Sequence, residues 1–292
     1  MANNCLSLVV HGGAGSQRGR DYSREILHMR ELVEAGRDRL LAGALALDVA
    51  VETTQALEAS GLYVAGRGAS PNTVGQYELD ACLMDGATGR AGSVAALQGY
   101  ESPIAVARAI MDWTPHVMLA GEGAARFAAN NDMTPIVDPD RWFTRAGQGE
   151  ANHPPGALAH GTVGCVVRDA EGRLAACTST GGVFGKLPGR VGDSPLIGAG
   201  GWADDTVAVS CTGQGEYFIR IAAAVQLAHR MKFAGESVAA AADAVLAQVR
   251  ALGGDGGLIA IDKDGNVAMP FVSAGMKRAA LMADGSIVSE AF

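Results

Sequence analysis

The residue of this sequence whose type and setting could best do chemistry is a threonine, Thr162. It lies between His160-Gly161 and Val163-Gly164, at the start of an apolar run. A threonine hydroxyl is a poor nucleophile unless a base lies beside it, and the nearest base is the threonine's own α-amine. That amine exists only if the Gly161–Thr162 bond is cut, and its pKa near ~7.7–8.0 leaves part of it unprotonated at neutral pH. Taken alone, the pentapeptide favours a threonine that merely opens a β-strand.

A second group of hydroxyls, Thr178-Ser179-Thr180, changes that balance. The segments Thr162–Arg168 and Arg173–Ser179 flank the turn Asp169–Gly172 and predict a β-hairpin. Because a hairpin brings the end of its second strand near the start of its first, Thr162 and Thr178–Thr180 should be neighbours. The second hydroxyl would orient the nucleophile or relay a proton. The alternative is a hydroxyl-rich turn without a chemical role.

A polar loop, Gly189–Pro195, carries one cation and one anion that suit an amino-acid ligand. Arg190 has the bidentate geometry to hold a carboxylate, and Asp193 would accept an ammonium group. An internal Arg190–Asp193 salt bridge explains the same residues equally well, so both interpretations stay open.

Two further segments place backbone groups where a site would need them. Thr212 and Gly213 follow a predicted strand and precede a predicted helix, so a hydroxyl and an N–H there would stabilise an oxyanion. The alternative is that Thr212 caps the helix. The loop His11–Ser16 lacks the lysine of a phosphate-binding loop, which disfavours a nucleotide. It predicts either a tight turn or a close backbone approach to a site.

Composition excludes several classes of function. The chain has 292 residues, 48% hydrophobic and 18% charged, enough for one large domain or two small ones with a substantial core. A formal net charge of -8 argues against nucleic-acid binding. No apolar stretch reaches membrane-spanning length, and Leu6–Val10 is too short for a signal-peptide core. The five scattered cysteines predict buried thiols in a reducing compartment, so we expect a cytoplasmic protein.

The elements that must position these residues do not alternate as β-α-β units. Strands are predicted at Cys5–Val10, Leu79–Asp85, Gly92–Leu97, Thr162–Arg168, Arg173–Ser179, Thr206–Cys211, Leu258–Ile261 and Val267–Pro270. Helices are predicted at Ser23–Ala42, Ala44–Ala59, Pro103–Met111, Val117–Asn130, Tyr217–Met231 and Ser237–Leu252. This order favours two antiparallel sheets packed together with helices outside. The stretch Arg145–Gly161, rich in Gly, Ala and Pro, predicts an exposed linker.

Together these motifs resemble the plant-type asparaginase family, also called isoaspartyl peptidases. The resemblance spans nearly the whole chain except the linker, and so many motifs in order are far more specific than any one of them. The segments that carry it are His11-Gly12-Gly13-Ala14-Gly15, Glu78-Leu79-Asp80-Ala81, His160-Gly161-Thr162-Val163-Gly164, Thr178-Ser179-Thr180-Gly181-Gly182, Leu187-Pro188-Gly189-Arg190-Val191-Gly192-Asp193-Ser194-Pro195, Gly198-Ala199-Gly200 and Cys211-Thr212-Gly213-Gln214-Gly215-Glu216.

The resemblance implies an N-terminal nucleophile hydrolase: a single α+β domain over 1–292, built as a four-layer αββα sandwich. Such enzymes cut themselves before the threonine, here between Gly161 and Thr162, giving subunits of residues 1–161 and 162–292. They then hydrolyse L-asparagine or β-aspartyl (isoaspartyl) dipeptides. By this resemblance Thr162 is the nucleophile, Thr180 is the second catalytic threonine, and Thr212 and Gly213 form the oxyanion hole.

The same resemblance assigns the substrate contacts. It implies that Arg190 holds the substrate α-carboxylate, Asp193 receives the α-ammonium group, and the backbone carbonyl of Gly215 lies near that ammonium. It also implies a homodimer of cleaved αβ units. No cofactor is required, although members often bind a structural sodium ion, here expected near Tyr63–Ser70. Members usually carry asparagine where this chain has Val64, whose side chain cannot make a hydrogen bond.

Two alternatives compete with this function. A glycosylasparaginase, which acts on asparagine carrying a sugar, shares the fold but is usually secreted or lysosomal. The absence of a signal peptide and the scattered thiols disfavour it. A non-catalytic homologue that binds an amino acid and never cuts itself is the second alternative, and Val64 makes it conceivable. The number of bands on a denaturing gel separates that binder from the enzyme.

Overall fold

Two β-sheets, of eight and four strands, form the framework of the computed structural model. The structure describes residues 6–144 and 161–292. In chain order the elements are β1 (Ser7–Ala14), α1 (Ser23–Leu41), α2 (Ala46–Ser60), a 3-10 turn (Gly66–Gly68), β2 (Leu79–Asp85), β3 (Ala91–Leu97), α3 (Pro103–Trp113), β4 (Met118–Ala120), α4 (Gly121–Asn130), α5 (Pro139–Trp142), β5 (Thr162–Arg168), β6 (Leu174–Thr180), β7 (Gly201–Ala203), β8 (Val207–Gly213), α6 (Gly215–Ile221), α7 (Ala223–Ala234), α8 (Val238–Ala251), β9 (Gly256–Asp262), β10 (Val267–Ala268), β11 (Met276–Leu281) and β12 (Ile287–Glu290).

The larger sheet has the strand order β12-β11-β1-β5-β6-β2-β3-β4, and the smaller has β10-β9-β8-β7. One buried cluster includes Val9 and Val166 of the larger sheet together with Ala208 and Ile259 of the smaller. A second joins the larger sheet to α1–α4, and a third joins the smaller sheet to α7 and α8. The mixed α+β class predicted from the sequence is therefore confirmed.

Alternation along the central strands decides which side chains face the smaller sheet. Val163, Cys165 and Val167 of β5 pack in the helix-side cluster, whereas Val166 packs in the cluster shared with the smaller sheet. Because successive side chains of a strand point to opposite faces, Thr162 lies on the same face as Val166. We call this the inner face of the larger sheet. The hydroxyls of the sequence motif thus open toward the second sheet.

The hairpin β5–β6 was predicted to within one residue, and β2 at its observed bounds. Other predictions were wrong in part. The strand predicted to end at Val10 continues to Ala14, so most of the predicted loop belongs to β1. The start of the helix predicted from Val117 is instead strand β4, which pairs in parallel with β3. The left-handed backbone of Ala222, with φ of 49°, divides the helix predicted at Tyr217–Met231.

Strands β7, β11 and β12 were missed because they are short or lie in segments without clear alternation. Most of the predicted linker, together with Cys5, lies outside the described residues. The other four cysteines are free thiols and buried, as predicted. Among the described helices, none combines the length and apolar character needed to cross a bilayer.

Candidate active site

Thr162 and Thr180 lie side by side at the open end of the β5–β6 hairpin, where the register pairs them directly. The Thr162 hydroxyl donates to Thr180 Oγ1 at 3.3 Å. Thr180 Oγ1 in turn donates to the carbonyl oxygen of Gly161 at 3.0 Å, and it accepts the N–H of Gly182 at 3.1 Å. The neighbourhood predicted from the hairpin is confirmed. In addition, the Thr180 hydroxyl touches the carbonyl of the bond that the sequence predicts to be cut.

Close packing holds Gly161 in front of Thr162. A Cβ built on Gly161 would lie 2.4 Å from both Cβ and Cγ2 of Val64, so only glycine fits. On the opposite side, Gly13 has φ of +101°, and a Cβ there would lie 3.1 Å from the Gly161 Cα and 3.3 Å from the Thr162 nitrogen. A left-handed φ and a close approach both require glycine at this position. The close backbone approach predicted for the His11–Ser16 segment is therefore confirmed.

The Thr212 side chain reaches from the smaller sheet to the end of β1, next to Gly13, where a Cβ would lie 3.3 Å from the Thr162 nitrogen. Thr212 is in β8, and its Oγ1 accepts the N–H of Ala14 at 3.1 Å. Accepting this hydrogen bond uses one lone pair of the hydroxyl oxygen. The hydroxyl hydrogen is not used in it and can be donated to another group. The helix-cap alternative is wrong, because α6 begins at Gly215 with Gln214 as its N-cap and without a side-chain cap. The position of Thr212 suits a donor to an oxyanion.

Arg190 binds a carboxylate in the structure, though not the one considered from the sequence. Its Nε and terminal nitrogen donate to the two oxygens of Glu216 at 2.9 and 3.0 Å. The internal Arg190–Asp193 salt bridge is therefore wrong as the alternative explanation of the loop. The pair has the bidentate fork–fork geometry in which an arginine binds a carboxylate.

Asp193 is buried, with 4% of its surface exposed, and its Oδ2 has no hydrogen-bond partner. Burial raises the pKa of its carboxyl to about 7, while the nearby Arg190 opposes the shift. Gly215 lies against this carboxyl, since a Cβ on Gly215 would fall 2.7 Å from Asp193 Oδ1. A buried carboxylate with a free oxygen is costly unless a cation completes it. The arrangement suits an incoming ammonium group.

A buried histidine supports the site from behind and was not assigned a role from the sequence. His11 Nδ1 lies 3.0 Å from the carbonyl oxygen of Thr162, and Nε2 lies 3.0 Å from Ser210 Oγ. A carbonyl only accepts, so Nδ1 carries the hydrogen and Nε2 accepts from Ser210. Burial lowers the pKa of His11 to about 3, which keeps the ring neutral. The signal available in the sequence was a lone histidine at a strand end, which is weak evidence.

The loop in which sodium was expected is occupied by turns. The carbonyls of Tyr63, Ala65 and Gly66 each accept a main-chain N–H, at 2.8, 3.0 and 3.1 Å. Within the described chain, none of the buried side-chain oxygens that lack a partner belongs to Tyr63–Ser70. A cation bound to these three carbonyls would use their second lone pairs. Sodium binding stays a prediction, and the chemistry of the threonines does not depend on it.

Sequence comparison places these residues in a known family. A model of the family described as "Asparaginase" matches residues 4–289. The chain belongs to this asparaginase family. It is 47% identical to the isoaspartyl peptidase of Salmonella typhimurium over 298 aligned residues, which cover 94% of this chain and 95% of the relative. It is 45% identical to the isoaspartyl peptidase of Escherichia coli K12, with 93% and 91% covered. The plant-type L-asparaginase of Pyrobaculum calidifontis is 41% identical, with 93% and 95% covered.

Membership of the asparaginase family confirms the resemblance carried by the sequence motifs. The geometry adds what the family assignment does not contain. In this member, the Thr180 hydroxyl contacts the Gly161 carbonyl, and Val64 packs on Gly161. Arg190 is paired with the carboxylate of Glu216.

Proposed function

We propose that this chain is an isoaspartyl peptidase/L-asparaginase: an amidohydrolase that cuts itself before Thr162 and then uses Thr162 as its nucleophile. The observation that carries the proposal is a hydrogen-bond chain at the bond between Gly161 and Thr162: the Thr162 hydroxyl donates to Thr180 Oγ1, which donates to the Gly161 carbonyl. Relatives named isoaspartyl peptidase or isoaspartyl peptidase/L-asparaginase align with this chain over almost their whole length. Their names support the same reaction and substrate class.

Self-cleavage is an acyl shift followed by hydrolysis. Thr162 Oγ attacks the carbonyl carbon of Gly161, and the Thr180 hydroxyl donates to the oxygen on which negative charge develops. The C–N bond breaks as the Thr162 nitrogen takes up the proton that Thr162 Oγ has lost, which leaves Gly161 esterified to Thr162 Oγ. Water then hydrolyses the ester and releases a Gly161 carboxylate and the free Thr162 amine. The contact with Val64 keeps Gly161 facing this attack.

Substrate hydrolysis repeats the chemistry with the new amine as base. Thr162 Oγ attacks the β-carbonyl of the substrate, and its proton passes through the α-amine to the leaving group. Thr212 and Gly213 are the proposed donors to the oxyanion, and removing one such donor typically costs ~10²–10³ in turnover. Water then hydrolyses the β-aspartyl ester. Arg190 would hold the α-carboxylate, and Asp193 with the Gly215 carbonyl would hold the α-ammonium.

Three finer predictions belong to this proposal. The packing of α1–α4 and of α7 and α8 on separate sheets supports a four-layer αββα arrangement. The mature form is proposed to be a homodimer of cleaved αβ units. Its expected location is the cytoplasm, from the sequence alone.

A denaturing gel and a substrate panel test the proposal. We expect the purified chain to separate into fragments of residues 1–161 and 162–292, with the second beginning at Thr162 by mass spectrometry. The mature protein should release leucine from β-aspartyl-leucine and ammonia from L-asparagine, but leave α-aspartyl-leucine intact. One band near 29.8 kDa without activity would overturn the proposal. Activity on glycosylated asparagine alone would mean that the proposed substrate class is wrong and that the chain is a glycosylasparaginase.

A further inference from the structure

A second buried carboxyl, Asp80, lies in the row of side chains that contains the two threonines. The register pairs Thr162 with Thr180 on one side, and Thr180 with Asp80 on the other. Directly opposed residues of neighbouring strands present their side chains on the same face of a sheet. The three side chains therefore form a row across β5, β6 and β2 on the inner face. The proposed mechanism makes no use of Asp80.

A β-bulge in the larger sheet provides a hydrogen bond to Asp80. The pairing of β2 with β3 shifts register between Leu79 and Ala81, so two residues of β3 oppose Asp80. One of them, Ala96, has φ of 51°, and its N–H donates to Asp80 Oδ1 at 2.7 Å. A left-handed backbone is unfavourable for alanine, and bulges next to active sites commonly re-aim a side chain. The bulge holds one oxygen of Asp80 and so fixes the direction of the other.

The other oxygen of Asp80 has no partner. Asp80 is fully buried, and its Oδ2 makes no hydrogen bond. The same is true of Asp193 Oδ2. The Asp193 main chain lies next to the inner face, because a Cβ on Gly200 would lie 2.4 Å from the Asp193 carbonyl oxygen and the Gly200 carbonyl accepts from Thr178 Oγ1 at 3.0 Å. The charge of Asp80 contributes to the raised pKa of the Asp193 carboxyl. Two buried carboxyls with one free oxygen each, beside one catalytic row, form a receptor for a cation with several N–H donors.

We propose that Asp80 is a further specificity-determining residue, which together with Asp193 forms a two-carboxylate site for the α-ammonium group of the substrate. The inference rests on the proposed function and deepens it. In this arrangement Arg190 selects the carboxylate of the substrate and the two aspartates select its ammonium. Both carboxyls are ionised when the substrate is bound.

The charges around the pair explain why an ammonium ion would be bound strongly. Burial raises the pKa of Asp80 to about 6 and that of Asp193 to about 7. The groups whose charges act on the pair are two cations, Lys186 and Arg190, and two further acids, Glu78 and Glu216. Each cation already has a partner, since Lys186 Nζ donates to the Glu78 carbonyl at 2.8 Å and Arg190 binds Glu216. The ammonium group of the substrate would supply a further positive charge, which would stabilise both aspartates in their ionised form.

Competitive inhibition by two related compounds tests this role in the mature enzyme. L-aspartate carries the ammonium group, whereas succinate has the same carbon chain without it. In Asp80→Asn, we expect the inhibition constant of L-aspartate and the KM of β-aspartyl-leucine to rise about ten-fold or more, the effect of one charge-assisted hydrogen bond. The inhibition constant of succinate should stay within about two-fold or fall, because an anion loses a repulsive neighbour. Equal weakening of both inhibitors would overturn the proposal.

Cys82→Ser is the matched control, because Cys82 is a buried residue two positions along the same face of β2. It should leave both inhibition constants unchanged. Wild-type self-cleavage and activity are measured first, so a failure of the proposed function appears before any variant is compared. Asp80→Asn must also be cleaved on the gel, which shows that its Thr162 end is intact.

The wild-type enzyme supplies a second test that does not depend on the variant folding. If both aspartates must lose their protons, the logarithm of the L-aspartate inhibition constant should rise with a slope approaching two as pH falls from 6 to 5. A slope that never exceeds one would mean that a single carboxylate binds the ammonium, and the proposal would fall. In Asp80→Asn the slope should be one and its onset should move to lower pH, since the neighbour that raises the Asp193 pKa is gone.

Discussion

Buried acids occur on both faces of the larger sheet, and they differ in how completely they are satisfied. Glu58 on the helix side has 1% of its surface exposed, and burial raises its pKa to about 7, as for Asp193 in the loop between β6 and β7. Both Glu58 oxygens, however, are bonded: Oε1 accepts from Ser179 Oγ at 2.6 Å and Ile104 N at 3.1 Å, and Oε2 accepts from Ser102 Oγ. Asp193 and Asp80 each keep one oxygen without a partner.

A raised pKa alone therefore does not distinguish a binding group from a structural one. Ser179 and Thr180 are adjacent in β6, and their side chains point to opposite faces. Ser179 donates a hydrogen bond to Glu58, whereas Thr180 donates one to the carbonyl of Gly161. The strand thus has one face that stabilises the fold and one that is left ready for a ligand. Changes on the inner face should alter chemistry with little loss of stability, and changes around Glu58 should do the reverse.

The largest expected effect on the inner face comes from Thr162→Ala. Without the hydroxyl no acyl shift can begin, so the chain should remain a single band and show no amidase activity. Its free energy of unfolding should change by only about 1 kcal/mol, the worth of one hydrogen bond. Denaturing gels, ammonia release and urea titration measure the three quantities. Thr162→Ser is the control, because it keeps a hydroxyl. Two fragments from Thr162→Ala would contradict the assignment of the nucleophile.

Asp193→Asn should give the next largest effect and separates the two kinds of acid most directly. Loss of the charge should raise the KM of β-aspartyl-leucine by roughly one hundred-fold, the upper range for a hydrogen bond to a charged group. Stability should hold or increase at pH 8, because an incompletely satisfied buried carboxylate is removed. Glu58→Gln is the matched variant and should leave KM unchanged. A rise in KM for Glu58→Gln equal to that for Asp193→Asn would refute the distinction.

Gly161→Ala tests whether packing against Val64 positions the bond that is cut. The new Cβ would lie 2.4 Å from the Val64 side chain, and overpacking of this kind costs ~1–3 kcal/mol. We expect self-cleavage to slow by about ten-fold or more in a time course on gels. The double variant Gly161→Ala/Val64→Gly should recover much of the rate relative to Val64→Gly alone. Unchanged cleavage in Gly161→Ala would show that Val64 does not position Gly161.

The sequence predicted the parts of this site that depend on local pairing. A hairpin register is set over a few residues, so the sequence alone is enough to place Thr180 beside Thr162. Contacts between distant segments were not predictable in this way. Glu216 lies beyond two intervening strands from Arg190, so the nearer Asp193 was the natural candidate partner. The His11–Ser210 contact joins two sheets across 199 positions of the chain, and the free oxygen of Asp80 depends on a bulge in β3.

For Glu58 the expected effect is on stability and its pH dependence. Its pKa is raised from 4.5 to about 7, so the folded chain holds the proton more tightly than the unfolded chain. This stabilisation is fully present below pH 4.5 and is lost as pH rises through about 7. It amounts to about 3 kcal/mol. In Glu58→Gln the fall in unfolding free energy from pH 5 to 8 should be smaller by up to that amount.

Urea titrations of Glu58→Gln at the two pH values, in the uncut Thr162→Ala background, follow a single chain. Glutamine can keep the network because its carbonyl accepts from Ile104 and Ser179 while its amide donates to Ser102. Glu52→Gln, at an exposed position of α2, is the control and should follow the parent. A pH dependence in Glu58→Gln identical to that of the parent would show that Glu58 is not the group responsible.

The smallest expected effect concerns Glu216, which binds Arg190 where the substrate carboxylate is proposed to bind. The Glu216 side chain is half exposed, and an ion pair of this kind is worth roughly 0–1 kcal/mol. In Glu216→Gln the guanidinium would be released from a competing carboxylate, so KM should fall by up to about five-fold with kcat little changed. Steady-state kinetics at low salt and at about 0.5 M salt, which screens exposed charges, measure the change. A rise in KM would mean instead that Glu216 orients Arg190 toward the substrate. The Arg190–Glu216 pair would then belong to the working site, and its hydrogen bonds would be complete in the free enzyme, as those of Glu58 are.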